Sequence, residues 1–222
     1  MKVVISGYGR MGHMIEKVLA ERGIELALAT EDVCAVDPAL AGECVCIDFT
    51  TPEAFRANYR FLAEHFKAVV VGTTGWNDIA GEVISCFEAC GTPMIYSSNF
   101  SIGVNAVFLA VEKVGEILAG CGYSAHISET HHIHKLDAPS GTAKTLGQIV
   151  TGSLGVEPDI ESFREGEVPG IHVTEFVSGA DRITVGHEAF SREGFAQGAV
   201  AAALMTEGLS GVHTFKDLIS KK

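Results

Sequence analysis

The densest set of reactive side chains lies in Glu129-Thr130-His131-His132-Ile133-His134-Lys135-Leu136-Asp137-Ala138-Pro139-Ser140-Gly141-Thr142-Ala143. Three of the nine histidines stand within four residues of one another, beside a lysine. Imidazole exchanges protons near neutral pH, so this segment suits a general acid. Pro139-Ser140-Gly141-Thr142, followed by Ala143, Leu146, Ile149 and Val150, reads as the start of a helix. The N–H groups at such a start, the hydroxyls of Ser140 and Thr142 and the charge of Lys135 together make an anion site. The chain carries 16 basic and 28 acidic residues, net −12, so cations gathered at one place point to a carboxylate ligand. No metal is expected: the spacing of His126, His131, His132 and His134 matches no zinc pattern, and Lys135 would repel a cation.

A second pattern opens the chain. Gly7-Tyr8-Gly9-Arg10-Met11-Gly12 is a G-x-G-x-x-G between an apolar strand and a helical repeat. Gly7 permits the tight turn, Gly9 lets backbone approach a pyrophosphate, and Gly12 lets helix and strand pack closely. Glu31, with Asp32 beside it, falls where the acidic ribose ligand of such a unit belongs. A carboxylate there accepts from a ribose hydroxyl and repels a 2′-phosphate, which favours NADH mildly over NADPH. Asp48-Phe49-Thr50, Gly72-Thr73-Thr74-Gly75 and Ser97-Ser98-Asn99-Phe100-Ser101 follow later strands, where ligands of open α/β sheets bind.

The elements that must position these groups follow from periodicity. Strands are expected at Val3–Ser6, Glu25–Thr30, Val45–Thr50, Ala68–Gly72 and Pro93–Ser97, and helices at Met11–Arg22, from Pro52, and at Asn77–Cys90. This alternation predicts an α/β fold with a Rossmann-type parallel sheet. After Asn99 the pattern becomes α+β. A helix at Ile102–Leu118 is followed by a strand at Tyr123–His131, a helix from Gly141, and a hairpin of Gly170–Ser178 with Arg182–Phe190. We therefore expect a dinucleotide-binding domain of residues 1–101 and 190–222, with Phe195–Glu207 as its final helix. Residues 102–189 are expected to form a smaller substrate-binding and oligomerisation domain with a mixed or antiparallel sheet.

The apolar fraction of 47% is ample for a core, and the acidic balance argues against nucleic-acid or anionic-membrane partners. No apolar run approaches the roughly 18 residues of a membrane span, and the N-terminus lacks a signal peptide's apolar stretch, so a cytoplasmic location is expected. The six cysteines contain no C-x-x-C and read as ordinary buried or half-buried thiols.

The run Glu129-x-His131-His132-x-x-Lys135-x-Asp137-Ala138-Pro139-Ser140-Gly141-Thr142-Ala143 resembles the signature of the dihydrodipicolinate reductase family. The likeness extends to Gly9-Arg10-Met11-Gly12, Asp48-Phe49-Thr50, Gly72-Thr73-Thr74-Gly75 and Asn99-Phe100-Ser101-x-Gly103-Val104-Asn105. It continues in Arg164-Glu165-Gly166-x-x-Pro169-Gly170-x-His172 and Ser191-Arg192-x-x-Phe195-Ala196-x-Gly198-Ala199. Departures are a shorter stretch between Glu31 and Val45, serines at 97 and 98 where alanine is common, and a looser tail from Gly211.

The resemblance implies reduction of a cyclic imine dicarboxylate by NADH or NADPH in the diaminopimelate route to lysine. His131 is then the proton donor, and Lys135 stabilises developing charge and binds a carboxylate. His132, Ser140, Gly141 and Thr142 hold the carboxylates. Cofactor contacts are implied for Gly7, Gly9, Arg10, Met11 and Gly12 in the first turn, then Glu31, Phe49 and Thr50. Gly72, Thr73 and Thr74, then Ser97, Ser98 and Asn99, and lastly Arg192 complete them. The family further implies hinges near Asn99–Ser101 and Arg192, and a homotetramer. Two other readings share the nucleotide end: another nicotinamide dehydrogenase acting on an amino or sugar acid, and a nucleotide-sensing protein without catalysis. The length of the Glu129–Ala143 match opposes the first. The second predicts a DNA- or protein-binding appendage, and no basic or helix-turn-helix segment is evident.

Overall fold

Two neighbouring runs, Cys44–Asp48 and Ala68–Val71, are buried along their whole length, as strands covered on both faces must be. They lie in the middle of the first of two units in the computed structural model, which describes residues 1–221. That unit comprises Met1–Ser101 and the chain from Phe195 onward. Its first part runs β1 (Lys2–Ser6), α1 (Arg10–Glu21), β2 (Glu25–Thr30), α2 (Pro38–Ala41), β3 (Cys44–Asp48), α3 (Pro52–His65), β4 (Ala68–Val71), α4 (Ala80–Cys90) and β5 (Met94–Tyr96).

The second unit, Ile102–Gly194, holds α5 (Ile102–Leu118), β6 (Ser124–His131), α6 (Gly141–Leu154), β7 (Asp159–Arg164), β8 (Ile171–Val177) and β9 (Arg182–Glu188). α7 (Glu193–Met205) then leads to β10 (Val212–Thr214) and α8 (Phe215–Ile219). The sequence places the return to the first unit at 190, whereas the units divide after Gly194.

The first sheet has strand order β10-β5-β4-β3-β1-β2 and every pairing is parallel. All its strands therefore end at one edge. The chain winds in opposite directions from β1, so the turns after β1 and β3 flank a topological switch point, the usual ligand position in such sheets. One face packs α1, α7 and α8 through Ile15, Leu19, Ala199, Ala203 and Phe215. The other packs α3 and α4 through Phe55, Leu62, Val83 and Phe87. Thr51 caps α3 by accepting from the Ala54 N–H at 3.2 Å, and Pro52 fills its first turn, where a missing N–H costs nothing. α7 is built of small residues, and its Gly198 has no room for a side chain: a Cβ would stand 1.6 Å from the Phe100 carbonyl oxygen.

The second sheet is mixed, in order β7-β6-β8-β9. β7 runs parallel to β6, while β8 is antiparallel to both β6 and β9. α5 and α6 cover one of its faces with Val104, Phe108, Val111, Leu146 and Val150.

Several features depart from the sequence expectation, among them the short helix α2, which no period announced. β7 was not anticipated, because Asp159-Ile160-Glu161-Ser162-Phe163-Arg164 carries too few apolar residues to read as a strand. It forms because β6 offers it a partner. β10 and α8 follow α7, which is therefore not the last helix; β10 is a three-residue edge strand, too short to show a period. Asn77–Ile79 is a 3₁₀ turn ahead of α4. Cys34, Cys90 and Cys121 are exposed, and only Cys44 and Cys46 are fully buried. Among the described residues, no helix is long and apolar enough to cross a membrane.

Candidate active site

At the carboxyl edge of the first sheet, the predicted cofactor residues of several turns interlock. Gly7 has φ +87°, and a Cβ there would lie 2.3 Å from the Phe49 carbonyl oxygen. The Phe49 ring lies on Gly72, where a Cβ would come within 2.2 Å of it. The Thr50 N–H donates to Thr73 Oγ1 at 2.7 Å. The Tyr8 N–H donates to Glu31 Oε1 at 2.7 Å, so the carboxylate is held against the glycine turn. Gly9 and Gly12 differ from each other: a Cβ on Gly12 would press the Gly7 carbonyl at 2.5 Å, whereas one on Gly9 would meet nothing within 4 Å. Gly9 thus faces the open space a pyrophosphate needs, at the uncapped start of α1. Arg10, Thr74 and Ser98 are exposed, and Met11 is half-buried. Ser97 donates from its hydroxyl to the Asn99 carbonyl at 2.7 Å, and Asn99 Oδ1 accepts from the Ser101 N–H at 2.8 Å. Arg192 lies exposed in the second unit, just before α7.

Beneath these turns sits the first residue of the Asp48-Phe49-Thr50 motif, to which the sequence alone assigns no role. Asp48 is completely buried at the end of β3. Its carboxyl accepts from Ser6 Oγ (2.7 Å), Thr73 Oγ1 (2.5 Å) and Thr50 Oγ1 (3.1 Å). Burial pushes its proton affinity up, and the three hydroxyls hold it back.

In the second unit the site grows out of strand alternation. β6 buries Ala125, Ile127, Glu129 and His131 on one face, and β8 buries His172, Thr174 and Phe176 on the same face. The pairing sets Ala125 beside Phe176, Ile127 beside Thr174, and Glu129 beside His172. Ser162 of β7 and His187 of β9 extend the last pair into a polar row of four, and Arg164 stands beside His131. One end of this face is therefore greasy and roofed by helices; the other collects titratable groups near the start of α6.

Glu129 holds that end together. Its Oε1 accepts from the Ser140 N–H and from the Arg164 guanidinium, each at 3.1 Å, and its Oε2 lies 2.7 Å from His131 Nδ1 and 3.9 Å from His172 Nε2. Ser140 Oγ caps α6 through the Ala143 N–H at 3.2 Å and stands 3.2 Å from His172 Nε2. Arg164 also donates to the carbonyls of Lys135 (3.3 Å) and Asp137 (2.6 Å), fastening the loop that carries Lys135. Lys135 Nζ pairs with Asp137 Oδ1 at 2.8 Å, which holds the Asp137 carboxyl below its usual range. His132 lies against His134 with ring centres 6.0 Å apart, and His134 pairs with Glu167 at 3.0 Å. Gly141 opens α6 with nothing within 4 Å of where a Cβ would be.

Burial alone would raise the Glu129 carboxyl, but Ser140, Ser162 and Arg164 outweigh it and hold the group at about 2. Burial and the neighbouring His131 push His172 down to about 4. Burial also lowers His131, against the opposing pull of Glu129. The lowered proton affinities of Glu129 and His172 have the same consequence for stability. In each case the unfolded chain binds the proton more readily, so stability is present at neutral pH and is lost on acidification. His172 withdraws its share as pH falls from about 6.5 towards 4, and Glu129 from about 4.5 towards 2, each on the order of 3 kcal/mol. Urea midpoints read by circular dichroism should fall steadily below pH 6.5, and His172→Gln should flatten the curve between pH 4 and 6.5. A wild-type midpoint constant over that interval would contradict the assignment.

Glu129, His172 and Arg164 belong to this cluster, although the sequence expectation assigns none of them to the site. The period of two along β6 was the available signal for Glu129, since it shares a face with His131. Glu129, His131 and His172 also bring donor atoms within 4.8 Å of one another, a spacing an ion could bridge. This trio differs from the histidines weighed in sequence, and the guanidinium on the same carboxylate opposes a cation there.

Comparison with known proteins gives a consistent picture. Residues 1–100 match the family model described as "Dihydrodipicolinate reductase, N-terminus", and residues 103–219 match "Dihydrodipicolinate reductase, C-terminus". A 4-hydroxy-tetrahydrodipicolinate reductase of Christiangramia forsetii is 36% identical across 99% of this chain and 98% of that protein. One from Anaeromyxobacter sp. is 34% identical across 99% and 97%. Among solved structures, a dipicolinate-bound dihydrodipicolinate reductase from Paenisporosarcina sp. TG-14 superposes with TM-score 0.80 at 18% identity, covering 98% of each chain, a likeness of fold.

Proposed function

Because the chain belongs to the dihydrodipicolinate reductase family, we propose that it reduces a cyclic, unsaturated imine dicarboxylate, (4-hydroxy-)2,3-dihydrodipicolinate, to tetrahydrodipicolinate on the lysine route. It is a nicotinamide-dependent reductase. When bound, NADH or NADPH supplies a hydride, and the chain supplies the accompanying proton. The observation that carries the reading in the second unit is the cluster at the end of β6. There an imidazole, a fixed carboxylate and a lysine-bearing loop stand beside a helix start.

His131 gives the proton to the ring as charge develops on it. Lys135, tethered to Asp137 in the resting protein, exchanges that partner for a substrate carboxylate and offsets the developing charge. Gly141 and Thr142 meet a carboxylate with first-turn N–H groups, Ser140 fixes that turn as its cap, and His132 adds a further donor. In the first unit, the glycine turn holds the pyrophosphate and Glu31 the adenosine ribose. Phe49, Thr50, Gly72, Thr73, Thr74, Ser97, Ser98 and Asn99 line the nicotinamide end, and Arg192 is assigned a further cofactor contact.

The outer face of the second sheet supports a homotetramer. Ile171, Val173 and Val177 of β8 and Phe163 of β7 lie on it, and Phe163 is 48% exposed. The test of function is oxidation of NADH and NADPH, with substrate made in situ from pyruvate and aspartate semialdehyde. Oxidation should require both precursors and favour NADH, and Glu31→Ala should cut that preference about tenfold, the loss of one good hydrogen bond to ribose. Failure to oxidise either cofactor, by protein shown to bind NADH, would sink the substrate assignment. Light scattering on the same sample should give the mass of four chains; a single-chain mass would refute the assembly.

A further inference from the structure

Glu129 stands outside the residues that touch substrate or cofactor in this reading, yet it is the fixed point of the second unit's polar cluster. Its side chain is fully buried and its Oε1 is committed to Arg164 and the Ser140 N–H. Its other oxygen, Oε2, lies 2.7 Å from His131 Nδ1. Neither atom has an aligned hydrogen-bond partner among the described residues, and both are buried, so their 2.7 Å approach is the shortest polar contact open to either. About a tenth of the His131 side chain stays exposed, and with Nδ1 buried that exposure lies elsewhere on the ring. On that other side is Gly170, at φ +155°, where a Cβ would press Nε2 at 3.1 Å. Glycine there keeps the space beside Nε2 clear.

We infer that Glu129 is a positioning residue: it keeps a proton on His131 Nδ1 and so presents Nε2 as the nitrogen that exchanges a proton with the substrate. The inference rests on the reading of His131 as proton donor and names what orients it. A carboxylate anchored through one oxygen cannot follow the ring if it turns, so it selects both tautomer and orientation. The groups facing His131 are Glu129 on its own strand, Arg164 on β7, His172 on β8, and Lys135 with its partner Asp137 on the following loop. Of these only Glu129 and Asp137 are acidic, and Asp137 is occupied by Lys135. His172 packs edge-on at 5.0 Å and stays neutral at physiological pH, so it does not compete as a cation for Oε2.

The decisive measurement is the tautomer of His131, read from long-range proton–nitrogen correlations in protein labelled at histidine nitrogen. Wild type above the titration of His131 should carry its proton on Nδ1 with Nε2 bare. A proton on Nε2 would overturn the inference, and this readout needs no variant to fold. In Glu129→Gln the Nδ1 preference should weaken and kcat should fall roughly 10²-fold or more, with KM for NADH unchanged. The basic limb of the kcat/KM profile should move to lower pH, because the imidazolium has lost its counter-charge. Glu129→Asp should recover part of the tautomer preference. An unshifted profile in a folded Glu129→Gln enzyme would assign Glu129 a purely structural part. Wild-type kcat in His131→Gln would instead remove the premise, a failure separable from the tautomer result.

Discussion

The double substitution His131→Gln, Lys135→Ala should lower kcat by roughly 10²–10⁴-fold while NADH affinity stays within about twofold of wild type. The loss follows from removing the proton donor and the mobile cation together. The retention follows from where most of the nucleotide residues lie, since the glycine turn, Glu31, the Phe49 ring on Gly72 and the Thr50–Thr73 hydrogen bond are all built within the first unit, Arg192 aside, and the double substitution touches none of them. The protein should still fold. Arg164 holds the loop through the backbone carbonyls of Lys135 and Asp137, which the substitutions leave in place. Single-turnover kinetics with NADH titrated by fluorescence separates the two quantities. Loss of NADH binding alongside activity would mean the cluster serves the nucleotide rather than the substrate.

Gly198→Ala should be the most damaging single methyl group that can be added to the first unit. The atom it would strike is a backbone carbonyl oxygen, 1.6 Å from the new carbon, and not a side chain that can turn aside. α7 would have to move outward and unseat Ala196, Ala199 and Ala203 from the core. A cost of about 3 kcal/mol or more is expected, the upper range for overpacking, which corresponds to a fall of roughly 6–12 °C in Tm. Gly81→Ala is the control in the same unit. It lies in α4 with nothing within 4 Å of its Cβ position, so removing the glycine should stabilise by about 0.5–1 kcal/mol. Calorimetry on the two variants should show shifts of opposite sign; equal melting temperatures would contradict the close packing of α7 on Phe100.

What could be read from the sequence was whatever declares itself locally. β2 and α5 begin and end where periodicity puts them, and the glycine turn sits between strand and helix as its pattern demands. His131, Lys135 and the start of α6 were visible because their residue types are uncommon together. The partners that complete the site were not, because they arrive through pairing. His172 is more than forty residues beyond Glu129 and meets it only through the β6–β8 register. Arg164 comes on β7, a strand whose acidic, poorly apolar sequence gives no warning of itself. Asp48 looked like one more strand-end residue, and its burial under three hydroxyls depends on turns from separate strands converging.

The graded face of the second sheet has a consequence for how this chemistry can be lost. A one-residue slip of β6 would carry Ser128 and Thr130 inward and turn Glu129 and His131 out to the opposite side. What forbids the slip is the other end of the same strand, where Ala125 and Ile127 must stay under the helices. The oily half of β6 is thus a ruler for the reactive half. A lesion near Phe176, touching no reactive group, can silence the enzyme by making it misread its own frame.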